Sequence, residues 1–571
     1  MIRSSIKTLL SAAFFVLAFL FLYFRKFPII GTAVSSDILL LISTTLLFSV
    51  ILIAAYLSSS RAEYSLTILA ISFNIFLFRS IRNLRLEWPA LWDPYMHLAT
   101  LTNILSGNGL EVTITAWTTI LHKMMYWPMM YLLSVGIIEG TGLPKALVFK
   151  YQSPFLGIIL FLTIAIIGRN VSNSLTIGVT GALISASASN IVFYQSEYHQ
   201  QGYVLVIFLL LLFVFLRTIT HPSWRWHLIG IVIVGPTFVL AHYFSPLLIA
   251  PLFAAVVIGT IVRAYLGGFP GIPDILDMSD TWVLPVIIVG IGVVYVHFLT
   301  PTIHLERYLT LMFASSPNNT SLTGVGTTRP FTMTVIRSTK WIVLMLGLPA
   351  LAYSVWKGTK QQVILSGFIG VFLLVGLLGQ YGVFLSVGRI VTFYALLIGI
   401  MAATTLFWLV ESDLIPGSRL QRLVPICLLV GCILTVTAFG GHFVPAYYLQ
   451  SAEENDWYYN SNNLPEVEKY PSAGKWLRNY GSSTYAVGGD GTTKGFTAVI
   501  PAYWGRSSVQ PGVFPWYSGV PPQRVGGVSL PIQDDGKVSR YFFLNRRYGY
   551  NYTEISHNKA YTNGEIVVIS D

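Results

Sequence analysis

Long apolar runs recur along the first 450 residues of the chain, separated by short polar segments. Residues 37–57, 202–217, 361–382 and 387–410 each approach or exceed the length that a helix needs to cross a ~30 Å hydrocarbon layer. Taken together, the apolar runs predict about thirteen membrane-spanning helices. The pattern therefore predicts a polytopic α-helical membrane protein.

From about residue 445 the pattern changes. Residues 464–477 have the spacing of a short amphipathic helix, whereas 484–487 and 565–569 are typical of strands. Glycine, proline and aromatic residues are frequent between them. We therefore predict two domains, a transmembrane domain over 1–444 and a small extracytoplasmic α/β domain over 445–571.

Composition supports this division and excludes some functions. Only 10% of the residues are charged, against roughly 25% in a soluble protein. The net charge of +11 comes from the first 450 residues, because the remainder carries 11 basic and 11 acidic side chains. Basic residues in short loops between spans indicate membrane orientation and do not predict a nucleic-acid partner. Cys427 and Cys432 both lie in the last apolar run, where they support neither a metal site nor a disulfide framework.

The basic residues also predict the orientation of the spans. The first apolar stretch, 11–24, follows Arg3 and Lys7, and no small-residue cleavage site comes after it, so we interpret it as a retained anchor. Arg3 and Lys7 place the N-terminus in the cytoplasm, and Arg419 and Arg422 do the same for the loop before the last span. The loops 82–126, 194–201 and 301–340 and the C-terminal domain then all face outward, on a multi-pass protein of the cell membrane.

One part of this topology stays open. Three apolar segments, 128–143, 151–168 and 174–193, lie between the first two outer loops. Two loops on the same side must be joined by an even number of crossings. One of the three segments therefore does not span in the ordinary way, and the sequence does not identify it.

The first outer loop contains Glu87, Asp93, Tyr95 and His97 within eleven residues. Carboxylates are costly near hydrocarbon and tend to be kept there for function. A structural explanation is also available, because Asp93 followed by Pro94 is a favourable start for a helix. The two explanations are compatible, since a carboxylate at a helix start on the membrane surface can meet a substrate.

The second outer loop contains Glu197 and His199, directly before the span at 202. They are either the solvated end of a loop or part of a site. Two acidic loops on one face favour a site, because convergent carboxylates can bind a divalent cation, Mg²⁺ or Mn²⁺, or divide acid–base work. Asp93 and Glu197 are the candidate ligands.

Two further polar residues lie at predicted outer boundaries. His242 lies between two spans, where a lone histidine is more often a satisfied polar group than a ligand. Arg389 lies at the outer end of the 387–410 run. Its side chain either snorkels to the interface or holds a phosphate through forked hydrogen bonds. The glycine-rich outer segment 301–340 has the composition of a loop that folds over a substrate.

These features together resemble the GT-C class of membrane glycosyltransferases. The stretch Asp93-Pro94-Tyr95-Met96-His97 is similar to the Asp-Pro-Trp/Tyr-aromatic-His stretch of oligosaccharyltransferase catalytic subunits. Glu197 and Arg389 match the second acidic motif and the lipid-phosphate arginine of the class. The oligosaccharyltransferase signature Trp-Trp-Asp-Tyr-Gly is absent, so a relative with a simpler lipid-phosphate sugar donor fits better than a protein-glycosylating oligosaccharyltransferase.

The resemblance implies a reaction and a role for each residue. A sugar would pass, with inversion, from a polyprenyl (dolichyl-type) phosphate to a glycan, lipid or protein acceptor. Asp93 would be the general base, Glu197 would position the donor or a cation, and Arg389 would hold the leaving phosphate. Substrate-binding roles would fall to the remaining residues: His97, His199, His242, Glu87 and Tyr95.

Two other classes compete with this one. A transporter or flippase would show ionisable residues or broken helices within the membrane. A non-catalytic scaffold with an outer sugar-binding domain would tolerate loss of Asp93 and Glu197. The charged residues of the chain cluster at the predicted outer face, which favours surface chemistry.

Overall fold

A computed structural model of the chain describes most of the apolar runs and a part of the C-terminal segment. The described residues are 2–26, 38–85, 93–105, 107, 127–196, 198–220, 223–242, 245, 279–299, 331–380, 387–412, 415–450, 480, 487–489, 523–525, 528–530, 541–545, 558–562 and 566–570.

Helices account for nearly all of the described residues before 451. Their bounds are α1 Ile2–Lys26, α2 Ile38–Leu57, α3 Arg61–Arg85, α4 Asp93–Leu105, α5 Met129–Thr141, α6 Lys145–Ser172, α7 Leu175–Ala186, α8 Ser189–Ser196, α9 Gln200–Thr220, α10 Trp224–Leu228, α11 Gly235–Val239, α12 Ser279–Val294, α13 Phe331–Lys357, α14 Lys360–Gln380, α15 Val387–Glu411 and α16 Arg419–Gln450. Two π-helical segments, Ile229–Val234 and Tyr295–Leu299, continue α10 and α12. Helix α13 begins at Phe331, so the last ten residues of the segment predicted as an outer loop, 301–340, are helical.

Six helices within the described ranges are long and apolar enough to cross a membrane. Helices α7 and α8 form a bent pair, with 69° between them, which adds a seventh if the pair is one span. The chain is therefore a multi-pass membrane protein. Thirteen spans stay a prediction, since runs such as 244–263 lie outside the described residues.

Helix α5 corresponds to the first of the three segments left open by the sequence. Its 13 residues extend over about 20 Å, which is too short for the hydrocarbon layer. Helix α6 is long enough to cross, and the bent pair α7–α8 passes the same length test if it is one span. Helix length therefore favours α5 as the segment that does not cross, and the sidedness of the loops stays a prediction.

The chain divides into two compact units: residues 1–81, 153–196 and 200–448 form the first, and 82–152, 197–199 and 449–571 the second. In the first unit α7 is buried over almost its whole length and packs against α15. Small residues permit this close approach, because a Cβ on Gly181 would lie 2.7 Å from the Cα of Ile400.

In the second unit the described C-terminal residues form strands. These are β1 Val487–Gly489, β2 Gln523–Val525, β3 Val528–Leu530, β4 Tyr541–Asn545, β5 Asn558–Thr562 and β6 Ile566–Ser570. One sheet has the order β1-β4-β6-β5, with β1 and β4 parallel and the other pairs antiparallel, and β2 and β3 form a separate antiparallel pair. The predicted helix 464–477 lies outside the described residues, so the α/β class of this domain stays a prediction.

Candidate functional site

Helix α4 carries the first group of candidate residues. It begins at Asp93 and has Pro94 as its second residue, as the preference of aspartate and proline for helix starts predicts. His97 follows Asp93 by four residues, so both lie on the same face of the helix, one turn apart. The side chains of Asp93 and Tyr95 lie outside the described part of the structure.

His97 is buried between aromatic side chains of the second unit. Its Nδ1 lies 2.6 Å from the hydroxyl oxygen of Tyr131 on α5, at hydrogen-bond distance. This bond fixes the imidazole ring relative to α5 and thereby orients the ring nitrogen that remains, Nε2. The arrangement is typical of a histidine held in one orientation by a second polar group.

The ring of His97 also contacts the second outer loop. Its centroid lies 6.0 Å from that of Tyr198 and 5.9 Å from that of His199, both in edge-to-face geometry. Tyr198 and His199 directly follow Glu197 in the chain. The segments that carry the two acidic motifs therefore meet at His97, whereas Glu197 and Glu87 themselves lie outside the described residues.

A hydrogen-bonded network holds Tyr198 in place. Ser134 Oγ lies within hydrogen-bond distance of the Tyr198 hydroxyl and donates to Gln152 Oε1 at 2.7 Å. The ring of Phe149 packs on Tyr198 with centroids 4.8 Å apart. The second outer loop is thus anchored from α5 and α6.

Burial keeps the two tyrosines of this cluster neutral. It raises the pKa of Tyr131 well above its ordinary value and raises the pKa of Tyr198 as well. Both hydroxyls therefore remain hydrogen-bond donors throughout the physiological range. Sequence analysis did not single out Tyr131, Ser134 or Gln152, and the available signal was weak: Tyr131 and Ser134 are three apart on one face of α5.

A divalent cation site on Asp93 and Glu197 stays a prediction. Within the described part of the chain there is no group of three or more histidine, cysteine or acidic side chains close enough to hold a metal. The Asp93 side chain and Glu197 fall outside that part. The rings of His97 and His199 lie 5.9 Å apart between centroids, and each histidine is close in the chain to one of the predicted carboxylates.

His242 and Arg389 belong to the first unit. His242 is buried, and its carbonyl accepts a hydrogen bond from the backbone N–H of Ser245 at 2.9 Å. Arg389 is the third residue of α15, and its side chain lies outside the described part of the structure. Both roles that sequence analysis gave to Arg389 therefore stay open.

The first unit also contains a cleft beside the bend between α7 and α8. It is small, about 30 Å³ in volume, and most of its lining is aliphatic. Ala188 and Asn190 line it at the bend, and Tyr394 and Ile398 line it from α15, the helix that begins two residues before Arg389.

Comparisons with known proteins give structural similarity only. No protein-family model and no curated protein sequence matches the chain. A crystal structure of ArnT from Cupriavidus metallidurans bound to undecaprenyl phosphate is similar at a TM-score of 0.49 and 13% identity, over 90% of this chain and 98% of that chain. The apo structure of the same protein is similar at 0.48 and 12%, with the same coverage.

Proposed function

We propose that this chain is a membrane glycosyltransferase that takes its sugar from a polyprenyl-phosphate donor. The contact of His97 with Tyr198 and His199 carries the proposal, because it joins the segments that follow Asp93 and Glu197. Two carboxylate-bearing segments that converge at the outer membrane boundary favour chemistry on a lipid-borne substrate.

The reaction is an inverting displacement. A hydroxyl of the acceptor attacks the anomeric carbon from the side opposite the phosphate, and Asp93 accepts the hydroxyl proton. The bond between the anomeric carbon and the phosphate oxygen breaks, and polyprenyl phosphate leaves with the electron pair. A base placed at a helix start can approach the acceptor, and such proton transfer contributes about 10²–10⁴-fold to a rate.

Arg389 holds the departing phosphate, since guanidinium binds phosphate oxygens through two parallel hydrogen bonds. Glu197 positions the donor or a divalent cation, which would stabilise negative charge on the phosphate. His97, His199, His242, Glu87 and Tyr95 contact the substrates.

The test uses the purified full-length chain with polyprenyl-phosphate sugars, and undecaprenyl phosphate is the product standard. Release of polyprenyl phosphate is followed with added Mg²⁺, added Mn²⁺ and EDTA, and with glycan, lipid and Asn-x-Ser/Thr peptide acceptors in separate arms. Asp93→Asn is expected to abolish release while membrane insertion stays normal. Glu139→Gln, which alters an exposed carboxylate on α5, is the matched control and retains activity. Full activity of Asp93→Asn would exclude the assigned base.

The 69° bend between α7 and α8 favours one alternative, a lipid transporter or flippase, because broken helices are typical of transport proteins. Proteoliposomes that contain fluorescent polyprenyl phosphate separate the two functions. A flippase moves the lipid between leaflets without cleaving a sugar, and Asp93→Asn would leave that movement intact. A glycosyltransferase releases sugar without accelerating the movement.

A further inference from the structure

Arg79 is a charged residue buried near one end of the membrane-spanning part of α3. Its side chain is 1% exposed, and the candidate span ends two residues later, at Ile81. Burying a guanidinium at membrane depth is costly, so such residues are usually functional or paired. Within the described ranges, the acceptors of Arg79 are neutral: the side chain of Gln195 and the carbonyls of Ala186 and Ile75.

Two of these acceptors lie on opposite sides of the bend between α7 and α8. Arg79 Nη2 donates to the carbonyl of Ala186, the last residue of α7, at 2.8 Å. Arg79 Nε donates to Oε1 of Gln195, the penultimate residue of α8, also at 2.8 Å. The final carbonyls of a helix lack intrahelical donors, so Arg79 supplies a donor that the end of α7 requires.

A guanidinium is suited to holding an angle between two elements. Its donors lie in one rigid plane, so two simultaneous bonds fix the direction of one acceptor relative to the other. Gln195 is fully buried, and its Nε2 has no hydrogen-bond partner among the described residues. Its bond to Arg79 is therefore what orients the amide.

Helix α6 is shaped to admit the arginine. A Cβ on Gly157 would lie 2.4 Å from both Cδ and Nε of Arg79. Any larger residue at 157 would displace the side chain from its position. The site of Arg79 is thus built from α3, α6 and the α7–α8 pair together.

We propose that Arg79 is a positioning residue that fixes the α7–α8 bend and thereby the start of the loop that carries Glu197. Glu197 follows Gln195 by two residues in the chain, so the end of α8 is the described element that directly precedes the second acidic motif. The catalytic consequence rests on the proposed function, whereas the effect on the bend does not.

Hydrogen–deuterium exchange of the full-length chain in detergent tests the bend. Arg79→Met and Gly157→Ala are each expected to raise exchange in residues 187–199 about tenfold, the loss expected for one buried hydrogen bond of a charged donor. Arg79→Lys, which keeps the charge without the planar fork, gives a smaller rise. Gly370→Ala is the matched control, because a Cβ there meets nothing within 4 Å.

Unchanged exchange in 187–199, or an equal rise over the whole chain, would overturn the proposal. If Arg79→Met does not fold, Gly157→Ala and Arg79→Lys decide the same question.

In the sugar-release assay Arg79→Lys is expected to lower kcat about tenfold and to change the donor KM less than twofold. A raised KM with unchanged kcat would show that Arg79 contacts the donor instead. If the wild-type protein releases no sugar, the proposed function is refuted. The hydrogen–deuterium exchange result then still tests whether Arg79 fixes the α7–α8 bend.

Discussion

Helix α6 and the bent pair α7–α8 each contain a backbone carbonyl that has no hydrogen-bond donor within its own helix. The helix continues past this carbonyl in α6, whereas it bends in α7–α8. In α6 the missing donor is that of Pro154, which has no N–H to offer the carbonyl of Lys150. Asn83 Nδ2 donates to that carbonyl at 2.8 Å, and the helix continues. The α7–α8 pair contains no proline, yet it bends by 69°. The carbonyl of Ala186 accepts a hydrogen bond from Arg79.

Both donors come from α3. Arg79 and Asn83 are four residues apart, so they lie on one face of that helix, one turn from each other. A neutral amide suffices where one carbonyl needs a donor. Where α7 and α8 are held at an angle, the donor is the planar guanidinium of Arg79, which bonds to both helices. The comparison teaches that the donor on α3, rather than a proline, distinguishes a bend from a continuous helix.

Removing the guanidinium of Arg79 should have the largest effect on the free energy of unfolding. Arg79→Met leaves the buried acceptors of Ala186 and Gln195 unpaired, at about 1–3 kcal/mol each, and relief of the guanidinium's desolvation offsets a part of this. We expect a net loss of about 3 kcal/mol in the free energy of unfolding, measured by denaturant unfolding in detergent. A stability equal to wild type would mean that the bend does not depend on Arg79.

Removing the amide should have a smaller effect. Asn83→Ala leaves the carbonyl of Lys150 without this donor, at a cost of about 1–2 kcal/mol. The same unfolding measurement checks it. If Asn83→Ala costs more than Arg79→Met, the proposed difference between the two donors is wrong.

A second substitution should rescue that loss. Pro154→Ala in the Asn83→Ala background restores a backbone N–H that can bond to Lys150, so about 1 kcal/mol should return. Pro154→Ala alone should be close to neutral, because Asn83 already occupies that carbonyl. Additive effects in this double-mutant cycle would show that the two residues do not share an acceptor.

The smallest effect at neutral pH concerns the His97 cluster. Burial raises the pKa of Tyr131 and Tyr198, so the stability from their neutral forms is present below pH 10, the ordinary pKa of tyrosine, and is lost as pH rises above it. Tyr131→Phe should cost about 1 kcal/mol at pH 7 through its lost hydrogen bond to His97 and should reduce the alkaline loss of stability. Tyr480→Phe, at an exposed tyrosine, should leave the stability at pH 7 unchanged. An unchanged alkaline profile in Tyr131→Phe would contradict the assignment.

Several features of the fold could be predicted from local sequence. The apolar runs 202–217 and 387–410 coincide with helices Gln200–Thr220 and Val387–Glu411, because about twenty apolar residues in a row leave few alternatives to a spanning helix. The helix start at Asp93 follows from the preference of aspartate and proline for that position. The roles of Asp93, Glu197 and Arg389 stay predictions.

Other features could not be predicted from local sequence. Residues 174–193 suggested one apolar segment, and no proline or glycine marks the break between Ala186 and Ser189. Tyr131, Ser134 and Gln152 looked like ordinary residues of apolar helices until they met Tyr198 and His97. The partners of Arg79 on α7 and α8 could not be predicted from local sequence, because Ala186 and Gln195 are more than 100 residues away in the chain.

The sequence by itself determined that the chain is a multi-pass membrane protein whose candidate carboxylates lie in polar segments between apolar runs. Hydrophobic length and charge bias suffice for this, because each acts within a single segment. Only the tertiary structure decided that α7 and α8 form a bent pair, and that His97 meets Tyr198 and His199. These features depend on hydrogen bonds and ring contacts between segments that are distant in the chain. A local sequence pattern does not predict which donor will bond to which acceptor.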